Sequence, residues 1–197
     1  MRPNFATCLF VPIAAVSLAG CGINSVPTAE ENAKAKWADV ESAYQRRADL
    51  IPNLVKVAER FVKQEQDVLI GVTEARAKAS SIQVSANDLT DAAKLDQFAG
   101  AQQNLGTSLG RLLVTVEKYP ELKSDKIFAD LNVQLEGTEN RINTARVKYN
   151  EAVQQYNTTI RTFPDIIGAK VIHGAKPMVP FKSQAGSDKA PEVNFGS

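Results

Sequence analysis

Six large apolar residues, Phe128, Leu135, Ile142, Tyr149, Tyr156 and Phe163, stand at seven-residue intervals. Leu131, Ala145 and Ala152 fill the alternate stripe. A half-buried strand would alternate every second residue, whereas a repeat of seven marks one helix seam facing partner helices that cross at about 20°. Ser124 or Asp125 is placed to cap the start of this run, and Pro164 to stop it. At ~1.5 Å per residue it spans roughly 55–60 Å.

Two earlier runs supply the partners. The first has its apolar face at Trp37, Val40, Tyr44, Ala48, Ile51, Leu54/Val55, Ala58, Phe61/Val62, Val68/Leu69, Val72 and Ala75, and it fades from Ser80-Ser81 to Asn87. Pro52 lies inside it. Proline lacks a backbone donor and clashes with the carbonyl of Ala48, so a kink or short break is expected there. The second run begins near Thr90, the expected N-cap, with Asp91 in its first turn, and its face is Leu95, Phe98/Ala99, Leu105, Leu109, Leu112/Leu113 and Val116. Gly100, Gly106 and Gly110 interrupt it, each at about 1 kcal/mol against alanine. The close approach of a neighbouring helix is the expected reason. The run ends at Tyr119-Pro120. Together these runs predict an all-α fold, an elongated antiparallel helical bundle of about four helical segments.

The N-terminus has a different character. Residues 1–20 contain Arg2 and no other charge, and an apolar stretch runs from about Cys8 to Leu18. That is about half the ~20 residues a spanning helix needs, and it suits the apolar region of a signal peptide. Leu18-Ala19-Gly20-Cys21 reads as a lipobox, with cleavage before Cys21 and lipidation of that cysteine. Gly22 follows it; by likeness to Gram-negative lipoproteins this leans toward the outer membrane. The expected organisation is a signal peptide over 1–20, a lipidated tether over 21–29, the bundle over 30–164 and a short docking segment over 165–175. An extended or disordered tail occupies 176–197, with Val193 and Phe195 as its adhesive points.

The polar residues between the seams carry a family likeness. Trp37, the block from Tyr44 to Val55 (YQRRADLIPNLV) and Glu74-Ala75-Arg76-Ala77 resemble the LemA family. So do Glu117-Lys118-Tyr119-Pro120-Glu121-Leu122, Gly137 to Ile142 (GTENRI), Ala145 to Val153 (ARVKYNEAV), Tyr156-Asn157 and Phe163-Pro164. These blocks occur in order across most of residues 37–164. The resemblance implies an all-helical bundle tethered to a bacterial membrane, and it brings no catalytic residues with it. Many members keep an N-terminal transmembrane helix, from which the lipobox-type signal departs.

Little in the chain is equipped for chemistry. Its cysteines are Cys8 and Cys21 and its one histidine is His173, outside the periodic runs. A di-iron bundle needs two Glu-x-x-His pairs, and zinc sites and Ser-His-Asp sets also need histidines or thiolates that are missing here. No cofactor or metal is therefore expected. The chain has 23 basic and 22 acidic residues, so setting Arg2 aside leaves the remainder balanced, with no basic field for nucleic acid. Glu117 and Glu139 are the carboxylates to consider for acid–base work, though ion pairing, such as Glu139 with Arg146, is the simpler role. Arg46, Arg47, Asp49 and Asn53 around Pro52 form a candidate partner-binding corner, unless Asp49 and Asn53 serve the backbone groups freed by the proline. Glu65, Gln102 and Thr138 fall on or near the seams, and Asn140, Asn150 and Asn157 lie on the third run; polar seam residues can fix register. The reading that results is a non-enzymatic, membrane-tethered envelope lipoprotein that contacts an envelope protein. Two alternatives stand beside it: a hydrolase or accessory subunit using bundle carboxylates, and a helical ligand or signal sensor hinged at Pro52.

Overall fold

The computed structural model describes residues 5–182, with side chains from Asn24 onward. The elements are α1 (Phe5–Ala58), α2 (Gln66–Ser81), a 3₁₀ turn (Ala86–Thr90), α3 (Ala92–Val116), the short α4 (Pro120–Lys123), α5 (Lys126–Thr159), α6 (Asp165–Gly168) and a π turn (Ala169–His173). No strand occurs among the described residues. The fold is an all-α bundle. α1 packs along α5, α2 packs on α3 and on α1, and α6 with the π turn packs on α1. The cap of the third run falls at Asp125, one of its two expected places, and that of the second at Asp91, because Thr90 closes the preceding 3₁₀ turn. Asp91 accepts from the amides of Ala93 and Lys94, and Asp125 accepts from that of Phe128, so each carboxylate satisfies donors that a helix start leaves unpaired.

Pro52 does not break the first helix; α1 runs uninterrupted from Phe5 to Ala58. The carbonyl that Pro52 leaves without its usual donor is that of Ala48, and Arg76 of α2 supplies one, its Nε lying 2.7 Å from the Ala48 oxygen. The freed group is thus satisfied from a neighbouring helix, not by Asp49 or Asn53. The break in the first run comes at residues 59–65, where the chain reverses into α2. Val62 is still fully buried within that turn, which is why the apolar spacing crosses the reversal without losing phase.

Three other boundaries move. The stretch expected as a tether up to residue 29 continues α1, and Val26 and Ala29 belong to the core. The seam of α5 is buried at Phe128, Leu135, Ile142, Tyr149 and Tyr156, but α5 ends at Thr159, Ile160 takes the last buried place, and Phe163 points outward. In the docking segment the small residues Gly168 and Ala169 are buried while Ile167, Val171 and Ile172 are exposed. The segment from 176 to 182 is an extended strap pinned to the bundle. Residues 183–197, with Val193 and Phe195, lie outside the described residues, as does the side chain of Cys21. Among the described residues no helix is long and apolar enough to cross a membrane.

The link from Arg76 to Ala48 makes a specific prediction. Arg76→Ala strands a carbonyl and should destabilise the fold by about 1–3 kcal/mol. In a Pro52→Ala background the Ala48 oxygen regains its intrahelical donor, so the same substitution should cost less. Urea unfolding of the four proteins checks this; equal losses in both backgrounds would contradict it.

Candidate functional site: a groove between α3 and α5

The backbones of α3 and α5 do not approach each other closely, although each packs well elsewhere. Between them lies a groove of about 500 Å³. Gly100, Gly106 and Gly110 line its α3 wall, and a Cβ built on any of them would meet nothing within 4 Å. Among the described residues, the glycines therefore do not admit a neighbouring helix. They leave the wall low and its backbone accessible. Leu109 and Leu113 continue that wall, and Leu135 and Ile142 supply apolar surface from α5.

Tyr44 and Arg47 of α1 reach the groove from below. Arg47 is only 4% exposed. Its Nη1 donates to Glu139 Oε1 at 2.5 Å, and its Nη2 donates to the Gln102 side chain at 2.7 Å and the Gln102 backbone carbonyl at 3.1 Å. The guanidinium also lies 5.1 Å from the centre of the Tyr44 ring, close enough for a cation–π contact. Its Nε has no hydrogen-bond partner among the described residues. Arg47, Gln102 and Thr138 all occupy apolar seam positions: Arg47 between Tyr44 and Ile51, Gln102 between Phe98 and Leu105, Thr138 between Leu135 and Ile142. They form a polar layer between two apolar clusters, one around Trp37 and Tyr149, the other around Leu54 and Leu112.

The strap closes one end of the groove, with Pro180, Phe181 and Lys182 among its lining. Two asparagines on α5 hold it in the manner of a strand ladder. Asn157 donates to the Met178 carbonyl at 2.8 Å and accepts from its amide at 2.9 Å. Asn150 donates to the Phe181 carbonyl at 3.0 Å and accepts from its amide at 2.8 Å. Seven helical residues rise about 10.5 Å and three extended ones about 10 Å, so the two spacings match. The Tyr149 hydroxyl donates to the Val179 carbonyl at 3.0 Å, and burial pushes that phenol above its ordinary range. Arg146 donates to the Lys182 carbonyl and lies 4.9 Å from the centre of the Phe181 ring. Phe181 in turn stacks on Trp37.

Of the four residues of the expected corner, only Arg47 enters this groove. Arg46 lines a shallower cavity, shared with Arg141 and Lys148. Asp49 accepts from Gln45 at 2.7 Å, and Asn53 is exposed. Glu139 pairs with Arg47 and not with Arg146, and Glu117 pairs with Lys123 at 2.5 Å. Glu65 lies 4.0 Å from Lys118, while Asn140 is exposed. Among the described residues no cluster of histidine, cysteine, aspartate and glutamate is arranged to hold a metal. The arrangement suits recognition: an apolar trough, a low glycine wall and a charged floor. The strap and the groove were not anticipated, though Asn150, Asn157 and the three glycines were the visible signals for them.

The floor predicts a non-additive pair. Gln102→Leu leaves a buried guanidinium short of acceptors and should cost about 1–3 kcal/mol. Adding Arg47→Met removes the charge as well, and the double variant should lose less than the sum of the two single variants. Chemical denaturation of the three variants tests this, with strict additivity as the contradicting result.

The family model described as LemA family matches residues 36–195. Magnetosome protein MamQ 2 of Paramagnetospirillum magneticum is 28% identical over 157 residues, covering 72% of this chain and 58% of the relative. Magnetosome protein MamQ of Magnetospirillum gryphiswaldense is 27% identical over the same length and shares. Protein LemA of Metamycoplasma hominis is 24% identical over 124 residues, 63% of this chain and 52% of the relative. The chain thus spans a little over half the length of these curated relatives.

Proposed function

The chain belongs to the LemA family, and on that premise we propose that it is a membrane-tethered lipoprotein of the bacterial cell envelope, without enzymatic activity, that works as a protein-interaction module. The observation that carries this reading is the groove. Its glycine wall and apolar trough fit an amphipathic segment of another envelope protein, because backbone exposed at Gly100, Gly106 and Gly110 lets a second backbone come close. Asp96, Glu136, Arg146 and Lys182 give its rim charges of both signs, which suits selection among partners more than raw affinity. Of the carboxylates lining the trough, Glu139 pairs with Arg47, Asp96 pairs with Lys182, and Glu136 accepts from Asn132. That weighs against the hydrolase alternative.

Tethering is supported by Leu18-Ala19-Gly20-Cys21 at the end of the apolar run. One acyl chain binds a membrane only marginally, whereas a lipobox lipoprotein carries at least two and holds stably. Gly22 leans toward the outer membrane if the cell is Gram-negative. The uninterrupted passage of α1 through Pro52 weighs against the hinge that the sensor alternative needs.

Photo-cross-linking from position 103, an exposed groove-lining site on α3, tests the reading in cells producing wild type, Gly106→Trp or Cys21→Ala. Wild type should capture an envelope protein. Gly106→Trp fills the groove and should lose that product with stability changed by less than about 1 kcal/mol, since the site has open space. Cys21→Ala should remain at the unprocessed size and lose lipid labelling. Cross-links running only to residues 183–197 of the same chain would contradict the groove's assignment to a partner. A lipid-independent Cys21→Ala protein, processed as wild type, would contradict the lipid anchor.

A further inference from the structure

The turn after α5 carries apolar side chains that the bundle leaves uncovered. Phe163, Ile167, Val171 and Ile172 are 79%, 56%, 79% and 57% exposed. Scattered apolar residues are ordinary on a surface, but four large ones within ten positions of one short segment form a patch. The segment also inverts the usual order, since Gly168 and Ala169 are buried while its bulky residues face out. Such a face is suited to a non-aqueous neighbour.

Its position narrows what that neighbour is. Ser25 of α1 hydrogen-bonds to Asp165, and α6 and the π turn both pack on α1. Ser25 is four residues from Cys21 and seven from Leu18, or about 6 and 10 Å along a helix. The patch therefore sits at the end of the bundle that meets the membrane, whether the anchor is lipid on Cys21 or the apolar run itself. The reversal at 59–65 marks the far end of α1. Charge agrees with this placement. From residue 161 to 176 the chain carries Arg161, Lys170 and Lys176 against one acidic residue, Asp165, which is bonded to Ser25.

We infer that residues 163–172 form an interfacial membrane contact. Phe163, Ile167, Val171 and Ile172 enter the boundary between headgroups and acyl chains, and Arg161, Lys170 and Lys176 meet anionic lipid headgroups. The inference rests on the tethering reading above. Its consequence is mechanical. A tether alone lets the bundle swing, whereas a tether plus this patch gives two points of contact and fixes the tilt. Arg47 lies 22 residues beyond Ser25 on α1, about 33 Å along the helix, so the groove would be held at a set height above the bilayer.

The test uses the full chain reconstituted in vesicles of phosphatidylethanolamine and phosphatidylglycerol, with brominated acyl chains as quencher. Val171→Trp and Phe163→Trp place a reporter in the patch, and Ile70→Trp places one at an exposed site on α2. Trp37, the one native tryptophan, is buried and gives all three the same baseline. The patch reporters should be quenched several-fold more than the α2 reporter. Vesicle-bound protein with equal quenching at all three positions would overturn the contact and leave the tether standing. Protein that does not sediment with vesicles at all would overturn both.

Discussion

Arg47 is the residue on which the arrangement of the bundle turns. A guanidinium is not deprotonated in a protein interior, so burying it obliges the surroundings to supply acceptors. Here they come from two other helices, Gln102 on α3 and Glu139 on α5. One side chain thereby ties three helices together at one level. An apolar seam alone tolerates sliding by a turn, but a buried charge with matched partners does not, and this is the best-attested structural use of such groups. The layer also divides the interior into two apolar clusters, each of which packs on its own side of the charge.

The groove follows from that tie. α3 is held by α2 below and by Gln102 at its middle, but among the described residues no helix packs against its glycine-bearing side. Nothing draws α3 and α5 together along that side, since three glycines remove the side chains that would have filled the space. The strap then closes one end, and it is held by side chains of α5 acting on backbone groups. Asn150 and Asn157 satisfy both the donor and the acceptor of Phe181 and Met178. An extended chain fixed on a helix would otherwise leave those groups unpaired. Trp37, Phe98 and Tyr149 lie beneath it, and Phe181 of the strap joins them in an aromatic cluster that adds apolar burial to the same contact.

The helical seams could be read from spacing because burial of one face sets a period that survives substitution by any apolar residue. The cap at Asp125 was legible for a similar reason, needing one acceptor at one place, whereas that of α3 was expected at Thr90 and falls one residue later at Asp91. The reversal at 59–65 was not legible. It contains no glycine or proline, and Val62 keeps the apolar phase through it. Pro52 drew the expected break instead, and only the fold shows that Arg76, 28 residues away in sequence, replaces the missing donor. The glycines of α3 were correctly singled out but given the wrong neighbour, since spacing reports a missing side chain without saying what occupies the space. Arg47 was expected in a partner-binding corner, and neither its burial nor its partners were legible, because both depend on the crossing of three helices.

The central claim is that the Arg47 layer sets the separation of α3 and α5 and so keeps the groove open. Spin labels at Gln103 and Asn143, exposed residues lining opposite walls, report that separation by dipolar spectroscopy once Cys8 and Cys21 are replaced. With Arg47 present the account predicts one narrow distance distribution, and in Arg47→Met a broadened or shortened one in protein that remains helical. An unchanged distribution in the variant would contradict the claim and leave the groove to be explained by the glycines and the strap alone.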